Sequence, residues 1–172
     1  MIRLPYRIRQ LCNNLTAGPL TEAERAEITE HLTVAERDLF FRFTYADQQH
    51  SYCVFHTLRE AGYNHPDLLT AALLHDVGKI RQPLSVWDRT VIVIGSGLFP
   101  GQARNWGRGP LDSWRRPFVV RAQHPAWGAE MASEAGSRPR VVEMIRRHQE
   151  RIVGNDEIDR LLIILQWADD QN

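Results

Sequence analysis

The stretch Leu68-Leu69-Thr70-Ala71-Ala72-Leu73-Leu74-His75-Asp76-Val77-Gly78-Lys79 decides how this chain is expected to fold. It begins as an apolar helix and ends in an adjacent histidine and aspartate. Neutral imidazole and carboxylate groups both bind metal ions. Successive helical residues point about 100° apart, so His75 and Asp76 can reach one ion only near a helix end. Gly78 fits the place where such a helix terminates. We therefore predict a metal site at the end of this helix.

Four further residues at long intervals could join this pair, namely His50, His124, His148 and Asp169. Each lies at the start, end or inward face of a predicted helix, which is how helices direct ligands to the centre of a bundle. The mixture of imidazoles and carboxylates suits one or two ions of Fe, Mn, Co, Ni or Zn, with Mg also allowed and Ca disfavoured. Asp76 has two oxygens and could bridge two ions. Such ions would lower the pKa of water to about 7 and provide hydroxide as a nucleophile for phosphorus.

Composition excludes several classes of protein. The 172 residues favour one domain, and a formal net charge of zero gives no reason to expect a nucleic acid or an anionic membrane as partner. No apolar run approaches the ~20 residues of a membrane span, and Met1–Pro5 does not begin a signal peptide. Cys12 and Cys53 form neither a disulfide framework nor a zinc-binding CxxC pair, which favours a reducing cytoplasm.

Helix signals occur along most of the chain, and alternating strand patterns are lacking. The sequence predicts an all-α fold in a single domain. Capping-box patterns at Thr21–Glu24 and Thr33–Glu36 predict helices that run to about His31 and through Phe43. The later helix starts are predicted at Asp47, at Pro66 or Asp67, at His124-Pro125, at Pro139 and at Asn155-Asp156.

Residues 81–123 are the hardest to interpret. Ser85–Ile94 favours a helix, although Val91–Ile94 alone is also typical of a strand. Glycines at 95, 97, 101, 107 and 109 then predict irregular chain, either a substrate loop or a poorly ordered insert. Exposed apolar surface around its tryptophans would support a homodimer.

Positive charge gathers in the second half of the chain. Ten arginines and five acidic residues lie between Arg104 and Arg151. They are either solvated helix faces or a rim that attracts an anion. The arginines that could contact a phosphate are those at 104, 108, 115, 116 and 121. Of these, Arg115, Arg116 and Arg121 are the ones expected to do so.

Several sequence motifs together resemble the HD-domain superfamily of metal-dependent phosphohydrolases. The signature is Ala71-Ala72-Leu73-Leu74-His75-Asp76-Val77-Gly78-Lys79, and Gln49-His50-Ser51 before Val54 resembles the first motif. His124-Pro125-Ala126-Trp127-Gly128-Ala129 is similar to the HPxxGA segment of two-metal members. Arg147-His148-Gln149-Glu150 and Trp167-Ala168-Asp169 resemble the remaining motifs. The resemblance covers roughly residues 47–170.

The resemblance implies a division of roles. His50, His75, Asp76 and Asp169 would hold a first metal, with Asp170 as the alternative to Asp169. Asp76, His124 and His148 would hold a second. Asp76 and Lys79 would be the catalytic residues, and Lys79 would also lie near the phosphate of a nucleotide or other small phosphoester. The helices of residues 1–46 would pack on an HD-type bundle formed by residues 47–172, with the metal site at its centre.

The chain departs from one subgroup, because the Gly-Tyr-Pro motif of cyclic di-GMP phosphodiesterases does not follow His148. Two alternatives to hydrolysis remain open. A mixed-valent di-iron oxygenase resembles HD proteins in fold and in the order of its ligands, and a non-catalytic HD module could sense nucleotides.

Overall fold

The computed structural model describes residues 18–172, which form helices and contain no strand in that range. The all-α prediction is confirmed for this part of the chain. The expectations for Met1–Pro5, Cys12 and the start of the 1–46 segment lie outside the described residues. The helices are α1 (Glu22–His31), α2 (Val34–Phe40), α3 (Tyr45–Glu60), α4 (Pro66–Leu74), a 3₁₀ helix (Val77–Arg81), α5 (Val86–Leu98), α6 (Pro100–Trp106), α7 (Arg116–Glu134), α8 (Pro139–Arg147) and α9 (Glu157–Asp169).

Side-chain caps define most of the helix starts. The capping boxes at Thr21 and Thr33 are confirmed, since in each the threonine side chain and the glutamate three residues later cap one another's backbone N–H groups. The prediction that Asp47 caps α3 is wrong. Thr44 is the cap, and its hydroxyl accepts from the Asp47 backbone N–H while donating to the Asp47 carboxylate at 2.6 Å.

The expected irregular chain at residues 81–123 is largely helical. Ser85 caps α5, which continues through Gly95 and Gly97, and α6 follows after one residue. The glycine at 95 is explained by packing rather than by a turn, because a Cβ there would lie 2.5 Å from Cζ of Phe118. Reading Gly95, Gly97 and Gly101 as loop residues was therefore wrong, whereas Gly107 and Gly109 do lie in the turn after α6.

The predicted helix start at His124-Pro125 is also wrong. Helix α7 begins eight residues before His124 and contains Pro125 in its interior. Proline cannot donate the backbone hydrogen bond of an interior helical residue, which is why it normally indicates a helix start. Pro117, at the true beginning of α7, occupies the position that the rule predicts.

Helix α4 forms the centre of the core. Its residues from Asp67 to Leu74 are all buried, and α3, α8, α9, α1 and α2 pack around it. The 3₁₀ helix that follows α4 packs against α7. A Cβ on Gly78 would lie 2.0 Å from the His124 carbonyl oxygen and 2.6 Å from the Gly128 nitrogen. Gly78 thus permits close approach of two backbones. It does not terminate α4 as expected, because α4 ends at Leu74 and Gly78 lies within the 3₁₀ helix.

Helix α5 lies at the periphery and exposes apolar side chains. Trp87, Val91, Ile94 and Leu98 recur at helical spacing and are between 42% and 79% exposed. Within the described residues no helix is both long and apolar enough to cross a membrane.

Candidate metal centre

Two groups of imidazole and carboxylate side chains meet around Asp76, the residue that follows the C-cap of α4. Its Oδ2 lies 3.6 Å from His75 Nε2 and 3.9 Å from His50 Nε2. Its Oδ1 lies 3.0 Å from His124 Nε2 and 3.8 Å from His148 Nε2. The first group consists of His50, His75 and Asp76, and the second of Asp76, His124 and His148. In each group the possible ligand atoms lie within 4.8 Å of one another. The two oxygens of one carboxylate therefore face two different sets of imidazoles.

Asp169 completes the first group. Its Oδ1 lies 3.0 Å from His50 Nε2 and 3.6 Å from His75 Nε2. Asp170, the alternative that sequence left open, is the exposed C-cap of α9. The structure therefore places Asp169, and not Asp170, beside the imidazoles.

Backbone carbonyl groups fix the orientation of three rings. The Nδ1–H of His75 donates to the Ala72 carbonyl at 2.8 Å, and that of His148 donates to the Ile145 carbonyl at 2.7 Å. His124 donates in the same way to the carbonyl of Val120 at 3.1 Å. When Nδ1 carries the proton, Nε2 of a neutral imidazole has a lone pair. All three Nε2 atoms point into the cluster around Asp76.

The arrangement at the second group needs a cation or a proton between its rings. His124 Nε2 and His148 Nε2 are 3.2 Å apart, although both Nδ1 atoms already serve as donors. Two facing lone pairs repel unless an electrophile lies between them. Burial, and the nearby His124 and His75, lower the pKa of His148 to about 3, so this ring is a neutral ligand at physiological pH.

The first group favours positive charge. His75 Nε2 is buried and has no hydrogen-bond partner. Burial opposes protonation of His75, but the carboxylates of Asp76 and Asp169 outweigh it and raise the pKa of His75 to about 9. Burial alone would raise the pKa of Asp169, yet the neighbouring imidazoles of His50 and His75 hold it well below the usual range.

These residues fit divalent transition metals. His75 Nε2, a buried nitrogen without a partner, needs an electrophile, and the two groups together supply four imidazoles and two carboxylates. This mixed set of nitrogen and oxygen donors suits Mn, Fe, Co, Ni or Zn. The division of the ligands between two metal ions stays a prediction, and the geometry accommodates it. The first ion would be held by His50, His75, Asp76 and Asp169, and the second by Asp76, His124 and His148.

Lys79 lies against Asp76, because its ammonium group donates to Oδ2. A buried ion pair lies next to it. Arg89 donates to both carboxylate oxygens of Asp47, at 2.9 and 3.0 Å. Burial alone would raise the pKa of Asp47, but the charges of Lys79 and Arg89 lower it overall. Sequence reasoning missed this role because Asp47 matched a helix-cap pattern.

The three arginines predicted to bind phosphate occupy different surroundings. Arg116 is held by Asp88 at 3.2 Å and by the carbonyl of Pro83 at 2.7 Å, and Arg115 lies over the Trp114 ring. Neither lines the pocket described next. Arg121 donates to the hydroxyl of Ser96 and does line that pocket.

A pocket of about 330 Å³ opens between α5, α6 and α7. Gln149 lines it and also reaches the second group, with its Nε2 3.4 Å from His124 Nε2. Gln149 had no assigned role in the sequence analysis beyond membership of a motif, whereas Arg104 was one of the arginines considered as phosphate contacts. The position of Gln149 directly after His148 was the available signal.

The comparisons with known proteins agree with this architecture. A family model for the HD domain matches residues 48–170, which contain every side chain of the two groups. No curated protein and no solved structure gives a significant match. HD domains are generally metal-dependent hydrolases, and some are non-catalytic. The helical fold, the paired groups around Asp76 and this match lead to one conclusion: the chain belongs to the HD-domain family.

Proposed function

We propose that this protein is a metal-dependent phosphohydrolase that acts on a nucleotide or another small phosphoester. The observation that carries the proposal is the position of Asp76, whose two oxygens face different groups of imidazoles, at 3.0 Å from His124 and 3.6 Å from His75. Bound divalent ions would act as Lewis acids towards the phosphate and lower the pKa of a water molecule. Membership of the HD-domain family supports the same chemistry at the level of the family.

The side chains have separable roles in this proposal. Asp76 would contribute one carboxylate oxygen to each group of imidazoles. Asp169 contributes a second negative charge on the side that faces solvent, since its side chain is 35% exposed and that of His124 only 1%. Lys79 is 18% exposed beside Asp76. From there its ammonium group would donate a hydrogen bond to a phosphate oxygen that enters from the open side.

The experiment combines metal analysis with turnover. The protein is purified anaerobically, its metal content is measured, and phosphate release is assayed on a nucleotide panel and a generic aryl phosphate. We expect metal-dependent release that Asp76→Ala and His75→Ala abolish. Asp169→Asn should also reduce it strongly. Asp170→Asn is the matched control, because Asp170 is the adjacent exposed carboxylate, and it should retain wild-type activity.

Two results would contradict the proposal. Substrate-dependent uptake of O₂ by the iron-loaded protein with polyols or phosphonates, without phosphate release, would indicate an oxygenase. Tight nucleotide binding without metal-dependent release from any substrate would indicate a non-catalytic sensing module.

A further inference from the structure

The pocket between α5, α6 and α7 has the chemical character of an anion site joined to an apolar wall. Its polar lining consists of two arginines, a hydroxyl and an amide, from Arg104, Arg121, Ser96 and Gln149. In the part of the chain that the structure describes, no acidic side chain lines it. Guanidinium groups bind carboxylates and phosphates through paired, charge-assisted hydrogen bonds. A bound anion would therefore meet donors and no opposing charge.

Apolar side chains also line the pocket, so a ligand must fit them as well as the polar groups. Pro100, Ala103 and Phe118 line it beside the arginines. Its volume of about 330 Å³ lies at the lower end of the range of about 300–1,000 Å³ that is usual for small-molecule sites. A ligand that satisfies both sets of residues has a compact organic body and an anionic group.

The pocket lies beside the candidate metal centre, and both are built on α7 and the segment after α8. Phe118, Arg121 and Ala122 share one face of this helix and line the pocket. His124 follows Arg121 by three residues and so neighbours it on the helix surface. At the other side, Gln149 belongs to the pocket and lies 3.4 Å from His124 Nε2. A molecule in the pocket would thus have one end at Gln149, the side chain that contacts His124.

We propose that this pocket binds a second anionic group of the substrate, so that the preferred substrate is a compact organic phosphoester with an additional carboxylate or phosphate. This inference rests on the proposed function for the identity of the reacting group. Arg104 and Arg121 bind the second anion, and the wall formed by α6 and Phe118 contacts the organic body. The reacting phosphate lies beyond Gln149, at the imidazoles.

The test compares substrates that differ only in the second anion. The full-length metal-loaded protein is assayed with phenyl phosphate, para-carboxyphenyl phosphate and phenylene bisphosphate. The ratio of kcat/KM for each doubly anionic substrate to that for phenyl phosphate should fall roughly tenfold in Arg104→Gln and in Arg121→Gln, the loss expected for one charge-assisted hydrogen bond. Arg108→Gln is the matched control, because Arg108 is an exposed arginine of the same region outside the pocket lining, and the ratio should not change. The two doubly anionic substrates separate a carboxylate from a phosphate as the second anion.

A binding measurement makes the result independent of turnover. Benzoate, which has the anion and the organic body but no phosphate, is titrated into the full-length protein and followed by ligand-observed NMR. Binding should weaken in Arg104→Gln. Binding of benzoate should also weaken in Ala103→Leu, because the larger side chain fills the pocket without altering its charge. This variant tests the pocket even if Arg121→Gln fails to fold.

The outcomes separate the two proposals. If phenyl phosphate is hydrolysed but benzoate does not bind and the substrate ratios stay unchanged in both arginine variants, the pocket inference is overturned and the proposed function stands. If benzoate binds through Arg104 while no phosphoester is hydrolysed, the anion pocket is supported and the proposed function fails.

Discussion

Gly78→Ala tests whether the close approach of the 3₁₀ helix to α7 holds the metal centre together. The added methyl group would lie 2.0 Å from the His124 carbonyl oxygen and 2.6 Å from the Gly128 nitrogen. Both contacts are to backbone atoms, so no side chain can rotate away. The two elements must separate by about 1 Å, and overpacking of this kind costs about 1–3 kcal/mol. Because the clash is with backbone, we expect a loss near 3 kcal/mol.

The predicted loss is large enough to measure in a chain of this size. A change of about 1 kcal/mol shifts Tm by about 2–4 °C in domains of 150–250 residues, so Gly78→Ala should lower Tm by roughly 6–12 °C. Asp76 precedes Gly78 by two residues and faces His124 at 3.0 Å. Separation of the two elements should therefore also weaken metal binding, measured by calorimetric titration.

Gly101→Ala is the control for the same chemical change. A Cβ at Gly101 meets nothing within 4 Å, and its φ is not positive. Alanine there should leave stability unchanged or raise it by about 0.4–1 kcal/mol through a smaller loss of chain entropy. If Gly78→Ala melts like Gly101→Ala and binds metal with wild-type affinity, the argument from backbone contact is refuted.

Three further predictions follow from the site. Metal addition should stabilise the protein by about 2.7 kcal/mol at a free metal concentration one hundred times Kd. The measurement is a rise in Tm of roughly 5–11 °C that a chelator reverses. A Tm insensitive to every transition metal would contradict the site. His124→Ala should lower the number of bound ions by one in elemental analysis. The control is His56→Ala, at an exposed histidine, which should leave that number unchanged. Equal metal stoichiometry in both variants would argue against a second ion. Asp47→Asn should cost about 1–3 kcal/mol at pH 7, because it leaves the partly buried Arg89 without its charged hydrogen-bond partner. The pKa of Asp47 is lowered in the folded state, so this stabilisation is present above the ordinary aspartate pKa of about 3.9 and is lost as the pH falls through the folded value. The difference in unfolding free energy between the wild type and Asp47→Asn should therefore shrink below about pH 4 in urea titrations, and a difference independent of pH would refute the assignment.

The sequence predicted helices correctly where a local pattern of residues favours a single backbone structure. The run of apolar residues before His75 forms the helix that the sequence predicts, and the threonine capping boxes specify their helix starts directly. Sequence also placed Asp76 between two groups of imidazoles, through a resemblance among separated motifs rather than from any local pattern. The structure brings those same side chains within a few ångströms of one another.

Prediction failed where tertiary packing overrides a local preference. Glycine usually indicates a turn, but Gly95 lies within a helix because the ring of Phe118 occupies the space that a side chain would need. Pro125 usually indicates a helix start, but the helix continues through it. The pocket could not be predicted at all, because it depends on how α5 and α6 lie against α7, and neither helix was recognised with its full bounds.

The carbonyl groups that accept from His75, His124 and His148 have a consequence for how sequences of this kind can vary. Each acceptor belongs to the backbone of the same helix as its histidine, or of the helix that the histidine follows, at Ala72, Val120 and Ile145. A substitution at these positions changes a side chain and leaves the oxygen in place. The direction of these three rings thus depends on the backbone of one helix each and not on a side chain from another helix. No additional carboxylate is needed to hold their Nδ1 atoms.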